Sequence, residues 1–114
     1  MANTFKLITK AGVTSSDVIY TVAGDKTAVI LGLTLGNTTS SQTTATATIN
    51  TNTGSRSGAN NEANQAVEII TGAAIPAGSS LSVLDGKVVL EETDEIIVIG
   101  SGATDVIISV MEIS

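Results

Sequence analysis

The sequence predicts an all-β protein, an antiparallel two-sheet β-sandwich of jelly-roll type with eight or nine strands. Three observations predict it. Short segments of alternating or β-branched residues recur every ten residues or so, separated by turn signals. Segments 43–50 and 79–84 alternate apolar with polar residues at a period of two. No segment carries a sustained helical period. One domain is expected over all 114 residues, since a chain of this length buries about 65% of its unfolded surface.

Segment 3–9 places Phe5 and Leu7 on one face and Lys6 on the other, and a turn follows at 12–16. Segment 17–23 puts Val18, Tyr20 and Val22 on one face, before a turn at Gly24-Asp25-Lys26. Segment 27–36 is the strongest strand. Val29, Leu31, Leu33 and Leu35 form one apolar face, opposed by Ala28, Ile30, Gly32 and Thr34, which suits a central position. Residues 37–42 are a polar loop. Segment 43–50 turns Ala45, Ala47 and Ile49 inward and Thr44, Thr46 and Thr48 outward, the small inward residues suiting close packing.

Residues 51–65 are rich in Gly and Asn and nearly free of apolar side chains. They read as a long loop, too polar to stabilise its own domain and more suited to reaching a neighbour. Strands resume at 66–72. A turn at 75–78 leads into 79–84, with Leu81 and Val83 on one face. Asp85-Gly86 signals a hairpin into 87–91. Glu91-Glu92-Thr93-Asp94 and Gly100-Ser101-Gly102 are turns around strand 95–99, and 104–113 is the last strand. The expected core is Leu31, Leu33, Leu35, Ile49, Leu81, Val83, Val89, Ile97 and Val98, with several of Val106, Ile108 and Val110.

Composition narrows the function. The chain has no His, Cys or Trp, and one each of Tyr, Phe, Pro and Arg. Catalysis usually draws on His, Cys, or a Ser or Lys activated by a base. Ser79, Ser80 and Ser101 have no histidine to activate them, so a Ser-His-Asp triad is impossible. Lys87 sits at an exposed turn beside Asp85, where a charge pair is the expected role. The expectation is a protein that is not an enzyme and takes no cofactor or metal. Net charge is −6, with five cations against eleven acids. No basic patch exists for nucleic acid or for an anionic membrane, so neither is an expected partner. No apolar run approaches a membrane span or a signal-peptide core, which points to synthesis in a cytoplasm.

Glu91, Glu92, Asp94 and Glu95 form the densest charge cluster. A calcium site is one reading, and a solvated turn is the other; the spacing matches no EF-hand loop. Gly100-Ser101-Gly102 lacks the rest of a phosphate loop and is read as a turn. The Thr44, Thr46, Thr48 row resembles an ice-binding face, but only one strand carries it, and exposed Thr is common in strands. Arg56 lies in the long loop, either solvated or anchoring a carboxylate on a neighbour. The residues expected at an interface are Thr44, Thr46, Thr48, Arg56, Asn60 and Asn61.

The C-terminal half carries a resemblance. Ile75-Pro76-Ala77-Gly78-Ser79-Ser80-Leu81, Asp85-Gly86-Lys87-Val88-Val89-Leu90-Glu91 and Asp94-Glu95-Ile96-Ile97-Val98 resemble a group of small virion proteins of tailed bacteriophages. These are typical of phages infecting cyanobacteria and other marine bacteria. The N-terminal MANTFKLITKAG and residues 29–39 fit the same group, whereas 50–66 fit least. The resemblance implies a virion structural protein made in the host cytoplasm, either a capsid decoration (cement) protein or a tail, neck or fibre component. It implies partners among major capsid or tail proteins. The aromatic-poor core, the small inward residues of 43–50 and the polar loop 51–65 separately predict association of copies of the chain through sheet edges and loops, as a trimer or part of a larger symmetric array. A receptor- or carbohydrate-binding module is the alternative. Glycan platforms favour Trp and Tyr, and the lone Tyr20 is expected on an inner face.

Overall fold

A computed structural model of the chain describes residues 2–52, 56, 60–84 and 86–114. Residues 53–55 and 57–59 of the expected loop, and Asp85 of the expected hairpin, lie outside the described residues. Nine strands run β1 (Asn3–Val13), β2 (Ser16–Thr21), β3 (Thr27–Asn37), β4 (Thr43–Thr51), β5 (Gln65–Ile75), β6 (Ser80–Ser82), β7 (Val88–Leu90), β8 (Glu95–Gly100) and β9 (Thr104–Ile113). Among the described residues there is no helix, and strands hold well over half of the chain.

The strands form two antiparallel sheets. The first sheet runs β1-β9-β3-β6, with β7 also paired to β3, and the second runs β2-β8-β4-β5. The pairing is nested: β1 with β9, β2 with β8, β3 with β6 and β7, β4 with β5. A long antiparallel hairpin rolled over on itself gives this nesting, which is the jelly roll. The expectation of an all-β, two-sheet antiparallel sandwich of eight or nine strands therefore holds.

Three sequence expectations are corrected. First, β6 and β7 form no hairpin. Both pair antiparallel to β3, β6 at Thr34–Gly36 and β7 at Ala28–Ile30, so they lie end to end as one interrupted strand. The reason is burial: this course sets Leu81 opposite Leu35 and Leu90 opposite Ala28, both on the core side.

Second, β3 changes parity. Ile30 pairs with Val110, yet Gly32 pairs with Ser109, so Leu31 and Gly32 together oppose one residue of β9. This β-bulge flips the inward set from Ala28 and Ile30 to Leu33 and Leu35. Leu31 is consequently exposed, and so is Val89, which pairs with the outward Val29. A second bulge in β2 at Ile19 has the same effect. Val18 is exposed while Tyr20 and Val22 are buried.

Third, the burial of the expected core is graded. Leu33, Leu35, Val98, Val106, Ile108 and Val110 are fully buried. Ile49, Leu81 and Val83 are half-buried against them, and Ile97 is half-buried on the outer side of β8. Ala45 and Ala47 are buried as expected, and their size lets β4 sit deep in the second sheet.

Candidate assembly surface

In an antiparallel pair, residues directly opposite each other share a face. Lys6, Ile8 and Lys10 of β1 pair with the inward Val110, Ile108 and Val106 of β9. Phe5, Leu7 and Thr9 therefore point outward, beside Met111, Ser109 and Ile107. Phe5 pairs with Met111, Met111 with Val29, and Val29 with Val89. These four residues form one row across β1, β9, β3 and β7. The next row is Leu7, Ser109 and the bulged Leu31 and Gly32, and the row after that is Thr9, Ile107, Thr34 and Ser82.

The lone Phe5 is 71% exposed, Leu7 68% and Val89 62%. Together with Ile107 and Leu31 these residues make the outer face of the first sheet apolar over several rows. β1 is also an edge strand, regularly paired on one side from Asn3 to Lys10 and unpaired in its sheet on the other. A long edge with a row of free backbone groups is a ready template for another chain.

The second concentration of chemistry is polar and lies at the loop 51–65. The Arg56 side chain is only 7% exposed. Its guanidinium contacts Asp94 at 2.6 Å and Glu91 at 3.3 Å, and its Nε donates to Asn61 Oδ1 at 2.8 Å. Asn61 in turn donates to Glu91 at 2.9 Å. Asp94 is buried and also accepts from the backbone N–H groups of Asn52 and Glu91. The hydrogen bond to Asp94 holds the guanidinium more firmly in its charged form, against the opposing effect of burial. The carboxylates of Glu91 and Asp94 thus clasp an arginine of their own chain. Among the described residues no acidic group has the arrangement of a metal site.

This latch changes two sequence expectations. Arg56 does not float in solvent, and its guanidinium is held by carboxylates of its own chain. The buried Asp94 beside it would otherwise be an uncompensated charge. The loop, expected to contribute nothing to its own domain, is fastened to the β7–β8 turn through Arg56, Asn61 and Asn52, whose Nδ2 donates to the Thr93 carbonyl at 3.0 Å. Of the other residues expected at an interface, Thr44 and Asn60 are exposed, and Thr46 and Asn61 are half-buried. Thr48 is buried, because it lies between Ile97 and Glu68 in register on a central strand. Thr46 Oγ1 accepts from the Gly72 N–H at 2.9 Å, which spends part of that row within the sheet.

A second polar cluster sits at the inner face. Glu112 is buried and accepts from the Tyr20 hydroxyl at 2.6 Å. The ammonium groups of Lys6 and Lys26 lie 2.9 and 3.6 Å from its other oxygen. The Tyr20 hydrogen bond, then Lys6, hold the Glu112 carboxyl below the usual carboxylate range. Burial, then Glu112 itself, push the Tyr20 hydroxyl well above its ordinary value. Glu112 thus combines a buried hydrogen bond at Oε2 with charge contacts at Oε1, and the cluster orders this part of the core.

Sequence reasoning missed the apolar outer face, because it assigned Leu31 and Val89 to the core and set Val29 on one face with Leu33 and Leu35. Its one available signal was Phe5 and Leu7 alternating against Lys6, which marks an apolar face without saying which side it takes.

No family model matches the chain, and no curated protein matches it. Among solved structures it is similar to a protein of the Bacillus endospore appendages, which form disulfide-linked pili. The identity is 14%, the TM-score is 0.51, and the match covers 99% of this chain and 87% of that one. At that identity the likeness concerns the fold.

Proposed function

We propose that the chain is a structural subunit of a many-copy assembly, acting through protein–protein contacts. The assembly that the sequence resemblance points to is a tailed-phage virion, with the chain as a capsid decoration protein. The observation that carries this reading is the uncovered apolar face of the first sheet, with Phe5, Leu7 and Val89 all more than half exposed. Contiguous apolar surface of this kind marks an interaction site more often than a passive one. Many weak contacts suffice in such a role, because simultaneous engagement multiplies their effect. The excess of acids over bases favours a basic neighbour on the particle.

A second many-copy reading draws on the fold neighbour, which belongs to pili. This chain has no cysteine, so a filament built from it would be held without disulfides. Electron microscopy of the purified protein, together with immunogold labelling of purified phage particles, tests both. Label on the capsid shell is the expected result. Label on neck or tail moves the protein within the virion. Filaments of purified protein with unlabelled particles favour the second reading, and neither label nor assembly defeats both.

A further inference from the structure

We infer that the outer face of the first sheet pairs with the same face of a second copy of this chain, sheet on sheet, about a two-fold axis. The inference rests on the chain being an assembly subunit and identifies the partner of that surface.

Charge is the first argument. The chain carries eleven acidic residues and five basic ones. None of them lies in four consecutive rows of this face, and Asp105 stands in the fifth, opposite Gly36. The four uncharged rows are Asn3, Ile113 and Thr27; Phe5, Met111, Val29 and Val89; Leu7, Ser109, Leu31 and Gly32; and Thr9, Ile107, Thr34 and Ser82. Two copies of an acidic protein repel wherever charged surfaces meet. Four of the five rows can meet without bringing two carboxylates together, Asp105 lying at the far end of the face.

Area is the second argument. The five most exposed apolar residues of the face present on the order of 500 Å² of surface, near the top of what a monomer's largest patch covers. A standard interface takes about 800 Å² from each partner, and homodimer interfaces are about 65% apolar. The apolar residues supply the larger part of such an interface, and the Thr, Ser and Asn side chains around them are the surface available for the rest.

Shape is the third argument. A sheet face is a shallow, regular surface that packs on another sheet with strands roughly aligned and side chains interdigitated. Leu31 at the bulge and Phe5 on the edge strand project from it, whereas Gly32 and Ser109 leave low ground between them. An isologous contact sets the projections of one copy over the low ground of the other. Such a contact closes as a pair, so a trimer would need a different surface.

Sedimentation equilibrium of the full chain tests the inference, alongside Phe5→Lys, Val89→Lys and the control Ile99→Lys on the other sheet. All three positions are exposed, and far-UV circular dichroism confirms that each variant retains the β spectrum; if Phe5→Lys does not fold, Val89→Lys carries the test. The parent and Ile99→Lys should sediment at no less than twice the 11.4 kDa chain mass. Phe5→Lys and Val89→Lys should fall to half the parent mass or lower. A monomeric parent at high concentration overturns the inference, as does dissociation by Ile99→Lys alone. A monomeric parent that still labels phage particles, and loses that label in Phe5→Lys, assigns the face to another particle protein. In that case this inference fails while the assembly reading survives. A parent that pairs but labels no particle and forms no filament does the reverse.

Discussion

At the residue scale, the stability of this protein depends on a few buried polar side chains, each paired at long range. Glu112 and Tyr20 are the clearest case, 92 residues apart in sequence and 2.6 Å apart in space. Because the folded-state pKa of Glu112 lies below its unfolded value, its contribution is fully present above the ordinary carboxylate range. It is lost as pH falls through the lowered folded value. Tyr20 is raised, so its contribution holds below its ordinary pKa and is lost as pH rises from there toward the folded value. Tyr20 is the only tyrosine, so phenolate absorbance follows it alone. Folded protein should titrate well above 10, and protein in denaturant near 10. Identical curves would mean the hydroxyl is not buried. Tyr20→Phe should cost about 1–3 kcal/mol by leaving Glu112 short of a donor, measured by urea unfolding.

Asn37 is a residue of the same kind that nothing local announces. Its side chain donates to the carbonyls of Ser41 and Ile75 and accepts from the Thr39 N–H and hydroxyl, all at 2.7–2.8 Å. It thereby fixes the loop between β3 and β4 and ties it to the end of β5. In sequence it is one Asn in a polar stretch. Glycine at 100 is equally specific: a Cβ there would meet the Val13 carbonyl oxygen at 2.7 Å. The turn at 100–102 was readable from composition, but its close backbone contact was not.

At the element scale, the decisive feature is the bulge in β3. Deleting Leu31 would remove the bulge and keep Ile30, Leu33 and Leu35 inward, because Ile30, Gly32 and Leu33 already oppose the consecutive Val110, Ser109 and Ile108. That deletion should therefore cost no more than about 3 kcal/mol, whereas deleting Thr34, which forces Leu33 or Leu35 out of the core, should unfold the domain or cost several kcal/mol. Urea midpoints for the two variants check this. Equal and small losses would place the bulge elsewhere. The loop latch is also an element-scale feature. Replacing residues 52–64 with a short Gly-Ser link removes Arg56 and Asn61 and leaves Asp94 buried without its cation. The expected loss is about 3–5 kcal/mol, partly recovered by Asp94→Asn in the same background. A deletion variant as stable as the parent would show that the latch contributes nothing.

At the scale of the whole molecule, the jelly roll leaves two outer faces with different characters. The second sheet presents Thr44, Thr46, Val18 and Ile99 in a mixed face, whereas the first sheet is apolar and uncharged through its centre. A small chain with one Tyr, one Phe and no Trp has a core of aliphatic residues such as Ile30, Leu33, Leu35 and Ile108. Further apolar area is then available only by association, and the first sheet holds the surface for it. Association of this kind raises apparent stability with concentration. The thermal midpoint of the parent should therefore rise as protein concentration rises, and that of Phe5→Lys should not. A midpoint independent of concentration in both would count against self-association.

The sequence by itself determined the fold class, the approximate place of every strand, most turns and the lack of a Ser-His-Asp triad. Alternation, turn residues and composition are local properties, readable without knowing what lies opposite. Which side of a strand faces the core is local only while pairing stays regular. One extra residue at Leu31 or Ile19 counts as a bulge only against a partner strand 78 positions away in register, Ser109 for Leu31 and Gly32. That partner exists only in the folded chain, and with it came the exposed face of the first sheet. The end-to-end course of β6 and β7 was likewise decided by β3 offering both of them one edge. The same holds for charge. Arg56 and Asp94 are 38 residues apart, and only tertiary packing removed both from water, making their pairing obligatory.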